Sequence, residues 1–209
     1  MADSSGNSSA TAWKLTFALL ILVALAFYTM FLVKPETVKS QLLTERYINH
    51  TFSPYLDEKA WNSATEYGLV QPITNAMANH IAKSHPTVSN KNEALENAWA
   101  TAPESLNLMG LMIDYRIYHL FYMLPFFLVI AFPILMDAIF LRKKGKYQNS
   151  FISPTKHHVG SQVLGMTFSY LMILAIIAPF SVPASAFFVI YLIKMSGWWI
   201  WIVSLPKRI

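Results

Sequence analysis

Apolar and polar positions alternate along this chain in blocks rather than residue by residue. Four apolar runs are each about as long as a bilayer is thick, and one long polar stretch separates the first two. The first run, Leu15–Val33, carries no charge. At about 1.5 Å per helical residue it spans roughly 28 Å, close to the hydrocarbon thickness. Ala24-Leu25-Ala26 resembles a signal-peptide cleavage site, but the apolar run continues through Phe27–Val33 beyond it. A signal core is only about 7–15 residues long, so the run is expected to be an uncleaved anchor. The second run, Ile117–Leu141, is long enough to span with tilt and contains Pro125 and Pro133. A kink is expected there, because neighbouring helices can satisfy the carbonyls that proline frees.

The third run covers about Val163–Val182 and opens with Ser161, Gly165 and Ser169, small residues at a spacing of four. Such a row lets another helix approach closely, so it is read as a packing face. Pro179-Phe180-Ser181-Val182-Pro183 then separates it from the fourth run, Ala184–Leu205, and suits a tight hairpin of two helices. Lys194 sits at the centre of the fourth run. A central lysine costs about 2.5–3.5 kcal/mol on insertion scales, which the surrounding Leu, Ile and aromatic residues can offset. Trp198, Trp199 and Trp201 fall where an interfacial belt belongs. Spanning is therefore favoured over the alternative, a re-entrant Ala184–Ile193 followed by a Trp-rich surface helix.

The polar stretch Lys34–Arg116 reads as helical throughout. Lys34-Pro35 breaks the first helix, and Val38–Tyr47 resumes with Leu42 and Leu43 on one side. Ser53-Pro54 is an N-cap followed by proline at the first helical position. Trp61, Ala64, Gly68 and Leu69 keep a helical period; Gln71-Pro72 interrupts it; Ile73, Met77 and Ile81 continue it. Ser84–Thr87 reads as a loop. Asn90 with Glu93 opens another short helix, and Thr101 with Glu104 forms a capping-box pattern. Leu106, Met109 and Ile113 lead into the second run. No alternating strand pattern competes.

Composition agrees with a membrane protein. Of 209 residues, 55% are hydrophobic and 13% charged, about half the charge of a soluble domain. An ordinary soluble enzyme and a disordered chain are both excluded. The absence of cysteine removes disulfides, thiolate zinc sites, iron–sulfur clusters and cysteine nucleophiles. A net charge of +5 suggests nucleic acid until it is mapped. The Lys34–Arg116 insert is slightly acidic. Lys14, Arg142, Lys143, Lys144, Lys146, Lys156, Lys207 and Arg208 flank the runs, opposed only by Asp3. An even number of spans puts all of these flanks on one side, and the positive-inside rule makes that side the cytoplasm. The chain then divides into a disordered cytoplasmic tail at 1–14 and a span at 15–33. A helical extracytoplasmic insert follows at 34–116, a span at 117–141, a basic cytoplasmic loop at 142–160 and a transmembrane hairpin at 161–209. The fold class expected is an all-α integral membrane protein with four spans and one small helical insert.

Candidate chemistry is sparse. His80 and His85 are five apart, one more than a shared helical face needs, and His50 and His119 stand alone. His157 and His158, being adjacent, point about 100° apart in a helix and read as headgroup or loop contacts. No metal and no cofactor is expected. No nucleophile elbow, zincin or Walker pattern occurs. Asp57-Glu58 falls in a first helical turn, where it complements the dipole. Asn49-His50-Thr51 matches a glycosylation sequon, which matters only in a secretory eukaryotic chain. Asp137, near the cytoplasmic end of the second run, and Lys194 are the opposite-sign groups in the apolar runs, and an intramembrane charge generally has a partner. They are the expected intramembrane pair, although Lys194 must reach several ångströms toward the cytoplasmic face.

The stretch Asp137-Ala138-Ile139-Phe140-Leu141-Arg142, with Ser150 and then Lys156-His157-His158, resembles the integrating conjugative element membrane protein family. That family is found among conjugative transfer genes. Its pattern places an Asp at the end of a Pro-containing span, an Arg five residues on, a Ser, and a His or basic position before the next span. Asp137, Arg142, Ser150 and His157 or His158 match it, and the layout fits over roughly Pro125–Ile209. Ala138 departs from the Gly often found after the Asp. The resemblance implies a non-enzymatic subunit of conjugative type IV secretion in the bacterial inner membrane, among other membrane subunits and beside the coupling ATPase. Arg142, Lys143, Lys144 and Lys146 then offer a surface for anionic lipid or for an acidic face of that ATPase. Five charges, counting Lys156, without an aromatic platform make a weak DNA site, so nucleic acid is reached through a partner. The rival readings are a small transporter or channel with Lys194 and Asp137 in a polar path, and a membrane enzyme acting on lipid, for which only Asp137–His158 comes near.

Overall fold

A computed structural model describes residues 33–84, 93–147, 154–166 and 170–204, together with Thr16, Leu20, Ala24 and Tyr28. The described residues form helices and no strand. Thr16, Leu20, Ala24 and Tyr28 of the first apolar run are helical and exposed, and Val33 at its end is a half-buried bend; the other positions of that run lie outside the described residues. The helices are α1 (Pro35–Phe52), α2 (Pro54–Glu66), α3 (Gln71–Ser84), α4 (Glu93–Tyr147), α5 (Pro154–Met166), α6 (Met172–Ile177) and α7 (Ala184–Val203).

Local chemistry explains the starts. Pro35 and Pro54 each sit in a first turn, where the missing N–H has no helical partner to lose. The Ser53 hydroxyl accepts from Leu56 N at 3.5 Å, the expected cap. In α1 the buried positions are Pro35, Val38, Leu42, Glu45 and Asn49, a helical stripe that turns from apolar to polar along its length. Val38 and Leu42 pack with Ala60 and Ala64 of α2 and Met112 and Tyr115 of α4. Burying a side chain such as Met112 contributes about 1.5–3 kcal/mol.

The organising element is α4. Its 55 residues run about 82 Å, from the polar insert through the whole second apolar run to the basic segment. Pro103, Pro125 and Pro133 all lie inside it without ending it. Two expectations change here. Thr101 does not cap a helix: its hydroxyl bonds back to Asn97 O and Ala98 O inside α4. The segment 142–160, read as a loop, is helical at both ends, as α4 to Tyr147 and as α5 from Pro154.

Against α4 stand the later helices. Tyr191 of α7 donates to Phe127 O and stacks on the Phe127 ring with centroids 4.2 Å apart. Trp199 then meets Asp137 at 2.8 Å, so α4 and α7 run in the same direction. Antiparallel to them, α5 packs on α7. A Cβ added at Gly160 would lie 2.8 Å from Trp201 N, so only glycine allows that approach. Of the expected packing row, Ser161 is exposed, Gly165 is helical with its surroundings outside the described residues, and Ser169 lies outside them altogether. The stretch Ala184–Val203 is one unbroken helix, without the break after Ile193 that a re-entrant segment needs. Among the described residues two helical stretches are long and apolar enough to cross a membrane: Glu96–Lys144 within α4, and α7.

Candidate functional site

The polar chemistry of the molecule converges where the insert meets the apolar helices. Asp114, Tyr115 and Arg116 are consecutive on α4, so their side chains diverge by about 100° each and reach three different elements. All three are fully buried.

Arg116 is the hub. Its Nε lies 3.0 and 3.1 Å from Glu45 Oε1 and Oε2, and its Nη2 lies 2.6 Å from Oε2. Its Nη1 donates to Ala175 O, Ile176 O and Ala178 O at 3.0, 3.0 and 2.6 Å. A further bond runs from Nη2 to Phe180 O at 2.6 Å. One guanidinium therefore satisfies the carbonyls at the C-terminal end of α6 and in the proline-bounded linker, where cations suit the helix dipole.

From the other side α1 holds the same linker. Gln41, Glu45 and Asn49 recur at a spacing of four and so share one face. Gln41 Oε1 accepts from Ser181 N at 3.1 Å, Glu45 Oε2 from Val182 N at 3.0 Å, and Asn49 Oδ1 from Ala184 N at 2.8 Å. Pro183 has no N–H to satisfy. Asn49 thus supplies an acceptor at the first residue of α7.

Tyr115 extends the network. Asn49 Nδ2 donates to its hydroxyl at 2.9 Å, and the hydroxyl donates to Asp57 Oδ1 at 2.5 Å. Burial first, then the hydrogen bond to the Asp57 carboxylate, pushes the ionisation of this phenol up. Asp57 Oδ2 also lies 3.5 Å from Arg46 Nη2 and 3.3 Å from His50 Nδ1. Arg46 in turn sits over the Trp61 ring at 4.0 Å. Asp114 faces the opposite way and accepts from the backbone N–H groups of Leu69, Val70 and Gln71 at 3.0, 2.8 and 3.0 Å. Those amides open α3, so Asp114 caps it from another helix. His119, one turn after Tyr115, is buried beside that ring, and neither ring nitrogen has a hydrogen-bond partner among the described residues.

Such a network clamps its elements together. Each carboxylate in it is taken by donors, and no group of three His, Asp or Glu side chains is placed to hold a metal among the described residues. Removing one partner of a buried ion pair typically costs about 3–5 kcal/mol, because the other charge stays buried. The arrangement fixes the insert, α4 and the hairpin linker as one body.

The residues singled out in the sequence lie elsewhere. Asp137 is exposed on α4 and accepts from Trp199 Nε1 at 2.8 Å. Lys194 lies five residues before Trp199, about 7.5 Å back along α7. It lines a cleft of about 410 Å³ with Ile117, Leu124, Phe127, Met172 and Tyr191. Arg142 is half-buried and Lys143 and Lys144 are exposed on the last turns of α4. His158 is exposed on α5. Lys146 and His157 are in helices, but their side chains lie outside the described residues, as does Ser150 altogether. Sequence reading missed Glu45, Asp57, Asp114 and Arg116. The signal available was the Asp-Tyr-Arg triplet directly before the 117–141 run, and the Gln41, Glu45, Asn49 row inside an amphipathic helix.

No curated protein and no solved structure matches this chain. A family model does: residues 60–205 match the one described as IncC plasmid conjugative DNA transfer protein DtrJ-like. That span holds α4 and α7 entire, with Asp114, Tyr115, Arg116, the linker and the basic segment. The resemblance to a conjugative transfer family is met at that level, and the chain belongs to the DtrJ-like family of conjugative DNA transfer proteins.

Proposed function

We propose that the chain is a non-enzymatic inner-membrane subunit of a conjugative type IV secretion apparatus, working beside the coupling ATPase that feeds DNA to the channel. In this reading four spans hold it, both termini are cytoplasmic, and the insert is extracytoplasmic. It acts as one member of a larger membrane complex.

The observation that carries the reading is the continuity of α4. One helix passes from the insert, where Arg116 locks it to α1 and to the hairpin linker, through the apolar run to Arg142, Lys143, Lys144 and Lys146. The basic end fits an acidic face of an ATPase or anionic lipid, at about 1 kcal/mol per basic residue near a membrane surface. Contact with DNA is indirect. The cleft that Lys194 lines is otherwise apolar apart from the Tyr191 hydroxyl, which favours scaffolding over a transport path.

Affinity purification from donor-cell membranes tests the proposal. Recovery of a coupling ATPase with the full chain, reduced when the four basic residues become Gln, supports it. Purification of the wild-type chain without any secretion subunit rules it out.

A further inference from the structure

The corner between α1 and α2 carries large apolar side chains that nothing among the described residues covers. Tyr47, Phe52 and Tyr55 are 75%, 64% and 69% exposed. Ile48 beside them is also exposed. On an insert surrounded by water these side chains have no purpose, and a cluster of this kind marks a contact surface.

Depth along α4 identifies the contact. Counting back from Lys143, about 30 Å of hydrocarbon needs twenty helical residues and ends at Met123. Leu56, next to Tyr55, packs against Met123 and Phe127 of α4 and Ala184 of α7. Ser63, two turns along α2, is hydrogen-bonded to the Tyr122 hydroxyl at 2.7 Å. The α1–α2 corner therefore stands at the upper edge of the apolar belt, with α2 rising obliquely out of it.

Charge follows the same order. Lys59, one turn after Tyr55, holds its ammonium 4.7 Å from the Tyr122 ring centre and 5.7 Å from that of Tyr55. It borders an open cleft with Glu58, Asn62 and Glu66. Apolar rings below with mixed charges above is the profile of a surface that meets acyl chains and zwitterionic headgroups together.

We infer that the α1–α2 corner is seated in the extracytoplasmic lipid leaflet, with Phe52 and Tyr55 among the acyl chains and Lys59 at the phosphates. The insert is then a domain leaning on the membrane, not one standing clear of it. The inference rests on reading α4 as a membrane span.

The cysteine-free chain suits a direct test. Single variants Phe52→Cys, Tyr55→Cys, Met77→Cys and Phe132→Cys are nitroxide-labelled in the full chain. Each is reconstituted in phosphatidylethanolamine/phosphatidylglycerol vesicles after its helix content is shown to match wild type. Collision with oxygen and with a water-soluble nickel complex is then measured. Phe132, exposed midway along the belt, is the lipid reference. Met77, exposed on α3 beyond the level where Thr74 meets Gly110, is the water reference. The expected result is a shift at 52 and 55 toward the oxygen-rich, nickel-poor behaviour of 132. Labels at 52 and 55 that collide with nickel as 77 does, while 132 stays lipid-like, overturn the inference and leave the span intact. Labels at 52 and 55 shielded from both reagents mean that protein covers the corner, and also overturn it. A water-like 132 removes the span itself, and the inference with it.

Discussion

Substituting Arg116 by methionine keeps much of its volume and removes its charge. Glu45 then loses every contact from the guanidinium and keeps only the Val182 N–H. Four carbonyls, of Ala175, Ile176, Ala178 and Phe180, lose the same donor. Breaking a buried pair by removing one member costs about 3–5 kcal/mol. Whole domains are stable by only about 5–15 kcal/mol, so the loss is a large share. With about 2–4 °C per kcal/mol for a protein of this size, the melting temperature should fall by roughly 6–20 °C. The assay is thermal unfolding of the full chain in nanodiscs, followed by circular dichroism. A partner variant sharpens it. In the double variant Arg116→Met, Glu45→Met no charge is left buried, so the combined loss should be smaller than the sum of the two single losses. Hydrogen exchange at Val182 and Ala184 should also accelerate in Arg116→Met, because the linker loses its anchor. Unfolding of Arg116→Met at the wild-type temperature, or strict additivity of the pair, refutes the argument that this guanidinium clamps insert to hairpin.

Four further outcomes follow from the same contacts. Asp114→Ala removes the acceptor for three opening amides of α3 and should cost about 0.5–2 kcal/mol, seen as faster exchange confined to the start of that helix. Tyr115→Phe deletes the hydroxyl between Asn49 and Asp57, leaving a buried amide and a buried carboxylate short of a partner, at about 1–3 kcal/mol by thermal unfolding. Gly160→Ala forces α5 away from the Trp201 backbone and should cost about 1–3 kcal/mol, whereas Ser161→Ala, on an exposed face, should stay within about 0.5 kcal/mol. His119→Leu removes two buried ring nitrogens that have no partner among the described residues, so its melting temperature should equal or exceed wild type; a marked fall would mean that the imidazole is bonded.

Local chemistry was readable from the chain, and distant pairing was not. The Ser53-Pro54 start follows from its cap and proline within a few residues, and periodicity shows the helix resuming at Gln71, although its opening amides are capped by the distant Asp114. The run 184–203 is helical for the same reason, since its length and composition favour one helix despite Lys194. Thr101 misled because a threonine with a glutamate three residues on looks like a start. The helix had already begun at Glu93 and absorbed Pro103. The clamp was hidden by sequence separation: Arg116 meets Glu45 across 71 positions, and Tyr115 meets Asp57 across 58. Asp57 in particular looked like a helix-dipole residue, and its burial depends on α1 and α4 closing over it. A charged residue at the mouth of an apolar run can face water or can be locked inside. Only the packing of α1 against the linker decides which, and that contact lies outside any local window.

The central claim is that α4 delivers the basic segment to a partner in DNA transfer. Transfer frequency from donor cells measures this most directly. A donor lacking the wild-type gene is supplied with the chain in which Arg142, Lys143, Lys144 and Lys146 are all Gln. A C-terminal reporter confirms that membrane level and topology are unchanged. The account predicts that transfer falls toward that of the empty donor, while the protein stays in the membrane. Transfer at the wild-type frequency from that strain would contradict it.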